Sequence, residues 1–229
     1  GTNDWYGTHL LIANLRKWYG HNQIIQIDNN IKMAYKTIRL KRGKDESLRR
    51  FHPWVFSGAI ATLPENLEEG DLVRVESHEG ETIGVGHYQI GSIAIRILEF
   101  GVETLPQNYF EKRLNAAYEM RRNLALIRPD NNCFRLVHGE GDFLPGLVID
   151  IYSKTAVVQA HSPGMHFCRQ QIADALLSIP DAGIANIYYK SETTLPFKAQ
   201  LDPVNDYIVG GFDTNIATEN GLKFNIDWL

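Results

Sequence analysis

Between Gly70 and Leu98 the sequence breaks into short segments in which apolar and polar residues alternate, and only strands satisfy that pattern. Gly70-Asp71-Leu72-Val73-Arg74-Val75-Glu76 runs through a turn containing Gly80 into Glu81-Thr82-Ile83-Gly84-Val85-Gly86, and Ser92-Ile93-Ala94-Ile95-Arg96-Ile97-Leu98 follows. Alternation with period two gives a strand one apolar face, and each segment is too short to form an amphipathic helix. The first two segments predict a hairpin. Glycines at the bends of closely spaced strands predict a compact barrel. Upstream, residues 36–42 alternate as a further strand, Asp45 can cap a short helical turn running to Arg50, and Pro53-Trp54-Val55-Phe56 resumes an extended path.

The pattern changes after Gly101. Asn108 is a candidate N-cap with Glu111 three residues on, and Phe110, Leu114, Ala117 and Tyr118 fall on one helical stripe that predicts a helix to about Leu126, linking two domains. Strands are then predicted at 147–152 and 155–160. A helix opens at Ser162 with Pro163 in its first position, carries Cys168, Ile172, Leu176 and Ile179 on one face, and stops at Pro180. Further strand candidates lie at 184–190, 207–209, 215–218 and 222–227. The expected fold class is α+β: a small barrel at 33–104, a linking helix at 105–128, and a small α/β sandwich at 129–218 in the order strand, strand, helix, strand, strand. Residues 1–32, with aromatics and aliphatics at roughly helical spacing before the polar Asp28-Asn29-Asn30, are expected to be an appended extension.

Charge narrows the function. Lys36, Arg39, Lys41, Arg42, Lys44, Arg49 and Arg50 against Asp45 and Glu46 give this stretch a formal +5, whereas the chain as a whole carries −4, leaving −9 on the remainder. Such a balance argues against coating nucleic acid with the whole surface and fits a localised phosphate contact, the bland alternative being a solvated basic face. His52 and Trp54 bring an imidazole and an indole beside these cations, and aromatics so placed can stack on unpaired bases. Burial in the barrel core is nevertheless the expectation for Trp54, because aromatics bury large apolar areas.

Hydrophobic residues make up 44% of the chain, yet no apolar run approaches the length of a membrane span, so no membrane partner is expected. The two cysteines, Cys133 and Cys168, have no C-x-x-C spacing for zinc or redox work and are expected to be reduced thiols in a cytoplasmic protein. No secretory signal pattern opens the chain. Cys168 lies on the apolar side of its predicted helix, which makes it structural.

The string Arg135-Leu136-Val137-His138-Gly139-Glu140-Gly141-Asp142-Phe143-Leu144-Pro145-Gly146-Leu147 is the most distinctive in the chain. His138, Glu140 and Asp142 at period two could face one side of an extended segment, as a metal-dependent hydrolase or an acid/base pair would require. Glycines between them loosen the backbone, and no second cluster completes a coordination sphere. The plainer expectation is a glycine-rich turn whose carboxylates satisfy backbone N–H groups or Arg135, with Arg135, His138, Glu140 and Asp142 facing a domain boundary or a substrate. Neither Gly139-x-Gly141 nor Gly84-x-Gly86 continues into a dinucleotide fingerprint, and no Walker lysine motif occurs.

The run from Lys41-Arg42-Gly43-Lys44 through Arg49-Arg50-Phe51-His52-Pro53-Trp54-Val55-Phe56-Ser57-Gly58-Ala59-Ile60, with Gly70-Asp71-x-Val73-x-Val75 and Ser92-Ile93-x-Ile95-Arg96, resembles the N-terminal PUA domain of bacterial class I rRNA large-subunit methyltransferases. Glu140-Gly141-Asp142 and Leu144-Pro145-Gly146-Leu147 resemble the opening of that family's central domain, and Glu219-Asn220-Gly221-Leu222-Lys223-Phe224 resembles the junction into its methyltransferase domain, so that 219–229 would begin that domain. The resemblance implies a parent enzyme that uses S-adenosylmethionine to methylate carbon 5 of a cytosine in large-subunit rRNA. It further implies a cysteine of the catalytic domain that adds at carbon 6, because carbon 5 is a poor nucleophile until a thiolate has done so. The donor site and that cysteine would lie beyond Leu229, so no catalytic, cofactor-binding or metal-binding residue is expected here. Lys36, Arg39, Lys41, Arg42, Lys44, Arg49, Arg50 and His52 would then contact RNA. A homodimer is compatible with this reading, and a stand-alone PUA-type RNA-binding adaptor without catalysis is the alternative.

Overall fold

A computed structural model describes residues 35–229; the extension expected at 1–32 lies outside the described residues. The first half forms six strands, β1 (Lys36–Leu40), β2 (Trp54–Phe56), β3 (Ile60–Thr62), β4 (Leu72–Glu76), β5 (Thr82–Tyr88) and β6 (Ile93–Phe100), of which β3 falls outside the segments expected to be extended. They make one sheet in the order β2-β6-β5-β4-β1-β3, with β4–β5 and β5–β6 as antiparallel hairpins and β1 running parallel to β4. Alternate side chains Ile38, Leu40, Val73, Val75, Ile95 and Ile97 close on Leu48 and Val55 to make a core. At Gly86 a Cβ would lie 2.3 Å from the carbonyl oxygen of Arg96, so the shifted register between β5 and β6 depends on the missing side chain.

The predicted helical turn is the single turn α1 (Glu46–Arg49). Asp45 does not cap it. Its carboxylate instead accepts from Arg49 Nε at 2.6 Å, and Phe51 ends the turn in the left-handed region at φ 63°.

The second half is a five-stranded sheet in the order β11-β10-β9-β8-β7, built from β7 (Cys133–His138), β8 (Leu147–Tyr152), β9 (Thr155–Ala160), β10 (Asn186–Tyr189) and β11 (Asp206–Val209). The helices α2 (Tyr109–Asn123), α3 (Pro163–Phe167) and α4 (Arg169–Leu177) accompany it, and a separate hairpin pairs β12 (Ile216–Glu219) with β13 (Leu222–Asn225). The fold is α+β, as the order of elements implies. Several details differ from the sequence reading. Phe110, Leu114, Ala117 and Tyr118 of α2 lie in the second core with Leu136, Ile149 and Ile172, so this helix is an integral layer and not a free link; Asn108 makes no side-chain cap. β7 was hidden inside the string that reads as a glycine turn. The helix opened by Ser162, whose Oγ accepts from Met165 N at 3.4 Å, divides at Cys168 into α3 and α4.

Candidate nucleic-acid interface

The basic segment is not uniformly available. Lys36 donates to Asp71 at 3.2 Å and to the Asn66 carbonyl, Arg39 pairs with Glu76 at 3.0 Å, and Arg49 binds both Asp45 and Glu81. The Arg49 guanidinium holds the Asp45 carboxyl below the usual carboxylate range by a hydrogen bond that outweighs its burial. Lys41 donates to the Gly58 carbonyl at 3.0 Å and, among the described residues, meets no anion. Arg42, Lys44 and Arg50 are exposed, and among the described residues their side chains have no ion pair or hydrogen bond. Folding therefore sorts seven cations into three that brace strands and four, Lys41, Arg42, Lys44 and Arg50, whose charge is uncompensated.

Beside these cations stands an aromatic row. His52 and then Trp54 and Phe56 of β2 recur at period two, with His52–Trp54 ring centroids 5.3 Å apart and Trp54–Phe56 6.4 Å apart, both edge to face. Among the described residues β2 is the sheet edge, bonded only to β6, and Trp54 is half-buried whereas His52 and Phe56 are exposed. The expectation that Trp54 sits in the barrel core is thus corrected: Val55, its neighbour, points into the core instead. Two backbone bonds hold the segments that carry row and cations side by side, His52 N to Ser47 O of α1 at 3.0 Å and Lys41 N to Ala59 O, beyond β2, at 2.8 Å.

Register explains where the other end of the row goes. Leu72, His87, Arg96 and Trp54 are successive cross-strand partners on β4, β5, β6 and β2, so all four point from the same face, and that face meets the second half of the chain. Leu72 packs on the second core. The His87 ring lies against Gly164 of α3, where a Cβ would be 2.1 Å from His87 Cγ, and its Nε2 is 3.8 Å from Cys168 Sγ. Burial, with the Arg96 charge beside it, lowers the His87 pKa to about 4. Arg96 donates to Gln89 and runs past Gly146. At the exposed end Trp54 Nε1 donates to Glu140 Oε1 at 2.7 Å.

The three residues read as a metal or acid/base constellation do not converge. Asp142 is buried and accepts both Nη groups of Arg121, Nη2 at 2.9 Å, together with His138 N at 2.6 Å. Glu140 serves Trp54. His138 Nδ1 lies 3.3 Å from Arg135, which is itself bonded through two nitrogens to Asp150 at 2.9 and 3.0 Å. Among the described residues no group of three His, Cys, Asp or Glu side chains could hold a metal ion. The hydrolase alternative therefore loses its site to structural bonds. Arg121 and Asp150, which sequence reading missed, carry no local signal because their partners lie 21 and 15 residues away.

The family resemblance raises the question whether these residues could hold S-adenosylmethionine. Among those described, the turn from β9 into α3 is where a strand delivers a glycine to a helix, and the His87 ring fills the space a cofactor would need at Gly164. That turn does not fit the cofactor. No described helix is long and apolar enough to cross a membrane.

Residues 38–100 match the family model of a PUA-like domain. Ribosomal RNA large subunit methyltransferase I of Alteromonas mediterranea is 36% identical over 193 residues, covering 82% of this chain and 47% of that protein. The Vibrio cholerae protein of the same name is 34% identical over 194 residues, covering 83% and 48%. Among solved structures, a candidate SAM-dependent methyltransferase from Streptococcus mutans superposes with a TM-score of 0.67 at 19% identity, over 83% of this chain and 48% of that one, which is a likeness of fold. The chain spans about half the length of the curated relatives it matches. It thus carries a PUA-like domain and, over four-fifths of its own length, is homologous to a stretch that makes up about half the length of ribosomal RNA large subunit methyltransferase I.

Proposed function

We propose that this chain is the RNA-recognition portion of an S-adenosylmethionine-dependent rRNA methyltransferase acting on carbon 5 of a cytosine in the large subunit. The observation that carries the reading is the set of uncompensated cations, Arg42, Lys44 and Arg50, in the segment that runs directly into the aromatic row His52, Trp54 and Phe56. Cations hold phosphates without regard to sequence, whereas aromatic faces take unpaired bases, so together they suit a structured RNA with a single-stranded element. Lys36, Arg39 and Arg49 serve this surface indirectly, by bracing the strands and turn that present it. The names of the relatives support large-subunit rRNA as the substrate; S-adenosylmethionine as the donor is what the family resemblance implies, bound on this reading outside the described residues. What these residues contribute is orientation of a large substrate.

The test pairs two titrations. The chain is expected to bind a large-subunit rRNA fragment and to show no saturable heat with S-adenosylmethionine at micromolar concentration. Saturable donor binding would contradict the division of labour, and absence of RNA binding would contradict the recognition role.

A further inference from the structure

Trp54 and Glu140 meet across the seam between the two sheets, one from the edge strand of the PUA-like half and the other from the turn that follows β7. The indole donates to Glu140 Oε1, while among the described residues Oε2 has no hydrogen bond, and Glu140 is exposed. An aromatic face with a half-used carboxylate at its edge is a recognisable arrangement. We propose that Trp54 and Glu140 form a single-base site that takes an unpaired nucleobase carrying an exocyclic amino group, stacked on the indole and donating to Glu140 Oε2. This deepens the RNA-recognition reading and rests on it.

The chemistry ranks the bases. Guanine presents a ring N–H and an amino group side by side, two donors for one carboxylate. Adenine and cytosine present one amino group next to a ring acceptor. Uracil presents a single N–H between two carbonyls that a carboxylate repels. The carboxylate would by itself repel the sugar-phosphate chain. Arg135 is paired with Asp150 and Arg96 with Gln89, so the flanking phosphates fall to the exposed Lys41, Arg42, Lys44 and Arg50 of the segment that leads into the aromatic row.

The experiment uses the whole chain and short single-stranded oligouridines bearing one G, A, C or U at the centre, read by fluorescence anisotropy at fixed salt. The guanine oligomer is expected to bind about tenfold more tightly than the all-uridine one, the discrimination of one good carboxylate pairing. Glu140→Gln keeps an oxygen for the indole but turns an amide N–H2 toward the base, so the preference for guanine should vanish or pass to uridine while the thermal midpoint stays put. Trp54→Phe removes the donor that aims Glu140, and it should weaken all four oligomers about fivefold, as loss of stacking surface and orientation does. Binding of all four bases with equal affinity, or an unchanged base preference in Glu140→Gln, overturns the site while leaving RNA recognition intact. Failure of every oligomer and of the rRNA fragment overturns both.

Discussion

Asp142 tests whether the most eye-catching string in the sequence is chemistry or architecture. Its carboxylate is 3% exposed and faces Arg121, itself 11% exposed, through two guanidinium nitrogens, and it also accepts the His138 amide. Replacing it with alanine removes three charge-assisted hydrogen bonds and strands the Arg121 cation between α2 and the turn after β7. Breaking a buried pair from one side costs about 3–5 kcal/mol. Arg121 keeps a bond from Nε to the Arg135 carbonyl at 3.0 Å, which points to the lower end of that range. At about 2–4 °C per kcal/mol for a chain of this size, the thermal midpoint of Asp142→Ala should fall by roughly 6–12 °C. Circular dichroism melts of the variant and of Asp150→Ala make the comparison. The Asp150 pair with Arg135 is much more exposed and should cost less than about 1 kcal/mol. If Asp142→Ala melts with the parent chain, or no lower than Asp150→Ala, the structural role assigned to Asp142 is wrong.

Two further perturbations address the seam. Gly164→Ala would drive a Cβ into the His87 ring, and since backbone or ring must shift, a loss of about 1–3 kcal/mol is expected in urea melts; an unchanged midpoint would mean that the two sheets do not pack there. His87 is held neutral in the folded chain, with its pKa lowered from 6.5 to about 4, so the unfolded chain binds the extra proton between those values and stability must fall as pH drops through that window. The loss amounts to about 3 kcal/mol at the acid end by linkage. It should shrink markedly in His87→Leu, and a pH profile identical in both proteins would exclude His87 as the group responsible.

Five strands of the first half were legible because each buries one face and shows it as period-two alternation, from Ile38 and Leu40 to Ile95 and Ile97, whereas β3 is three residues long with only Ile60 buried and carries no such pattern. β7 was not legible. Its register is irregular between Arg135 and Val137, and the glycines of the following turn dominate local pattern. The role of α2 was misjudged for a related reason: an amphipathic stripe says that a helix buries one face but not against which sheet. For the site, sequence placed the cations but could not sort them. Asp71, Glu76 and Glu81, which neutralise Lys36, Arg39 and Arg49, arrive from more than thirty residues away through the parallel pairing of β1 with β4 and the loops around it. Trp54 went to the edge and not the core because Val55 took the inward position, a one-residue phase that a three-residue strand does not reveal.

If uncompensated charge on the α1 loop grips RNA, salt measures that grip directly. Anisotropy titrations of a large-subunit rRNA fragment across a range of salt concentrations give a log-log slope of about 0.7–0.9 per phosphate neutralised. Replacing Arg42, Lys44 and Arg50 together with glutamate should weaken binding at every salt concentration and flatten the slope by about two to three units. The same replacement of Arg39, whose charge is already spent on Glu76 at 3.0 Å, should change the slope little once folding is confirmed. A triple variant that binds with the parent's affinity and slope would show that these cations are only a solvated face and that the RNA surface lies elsewhere.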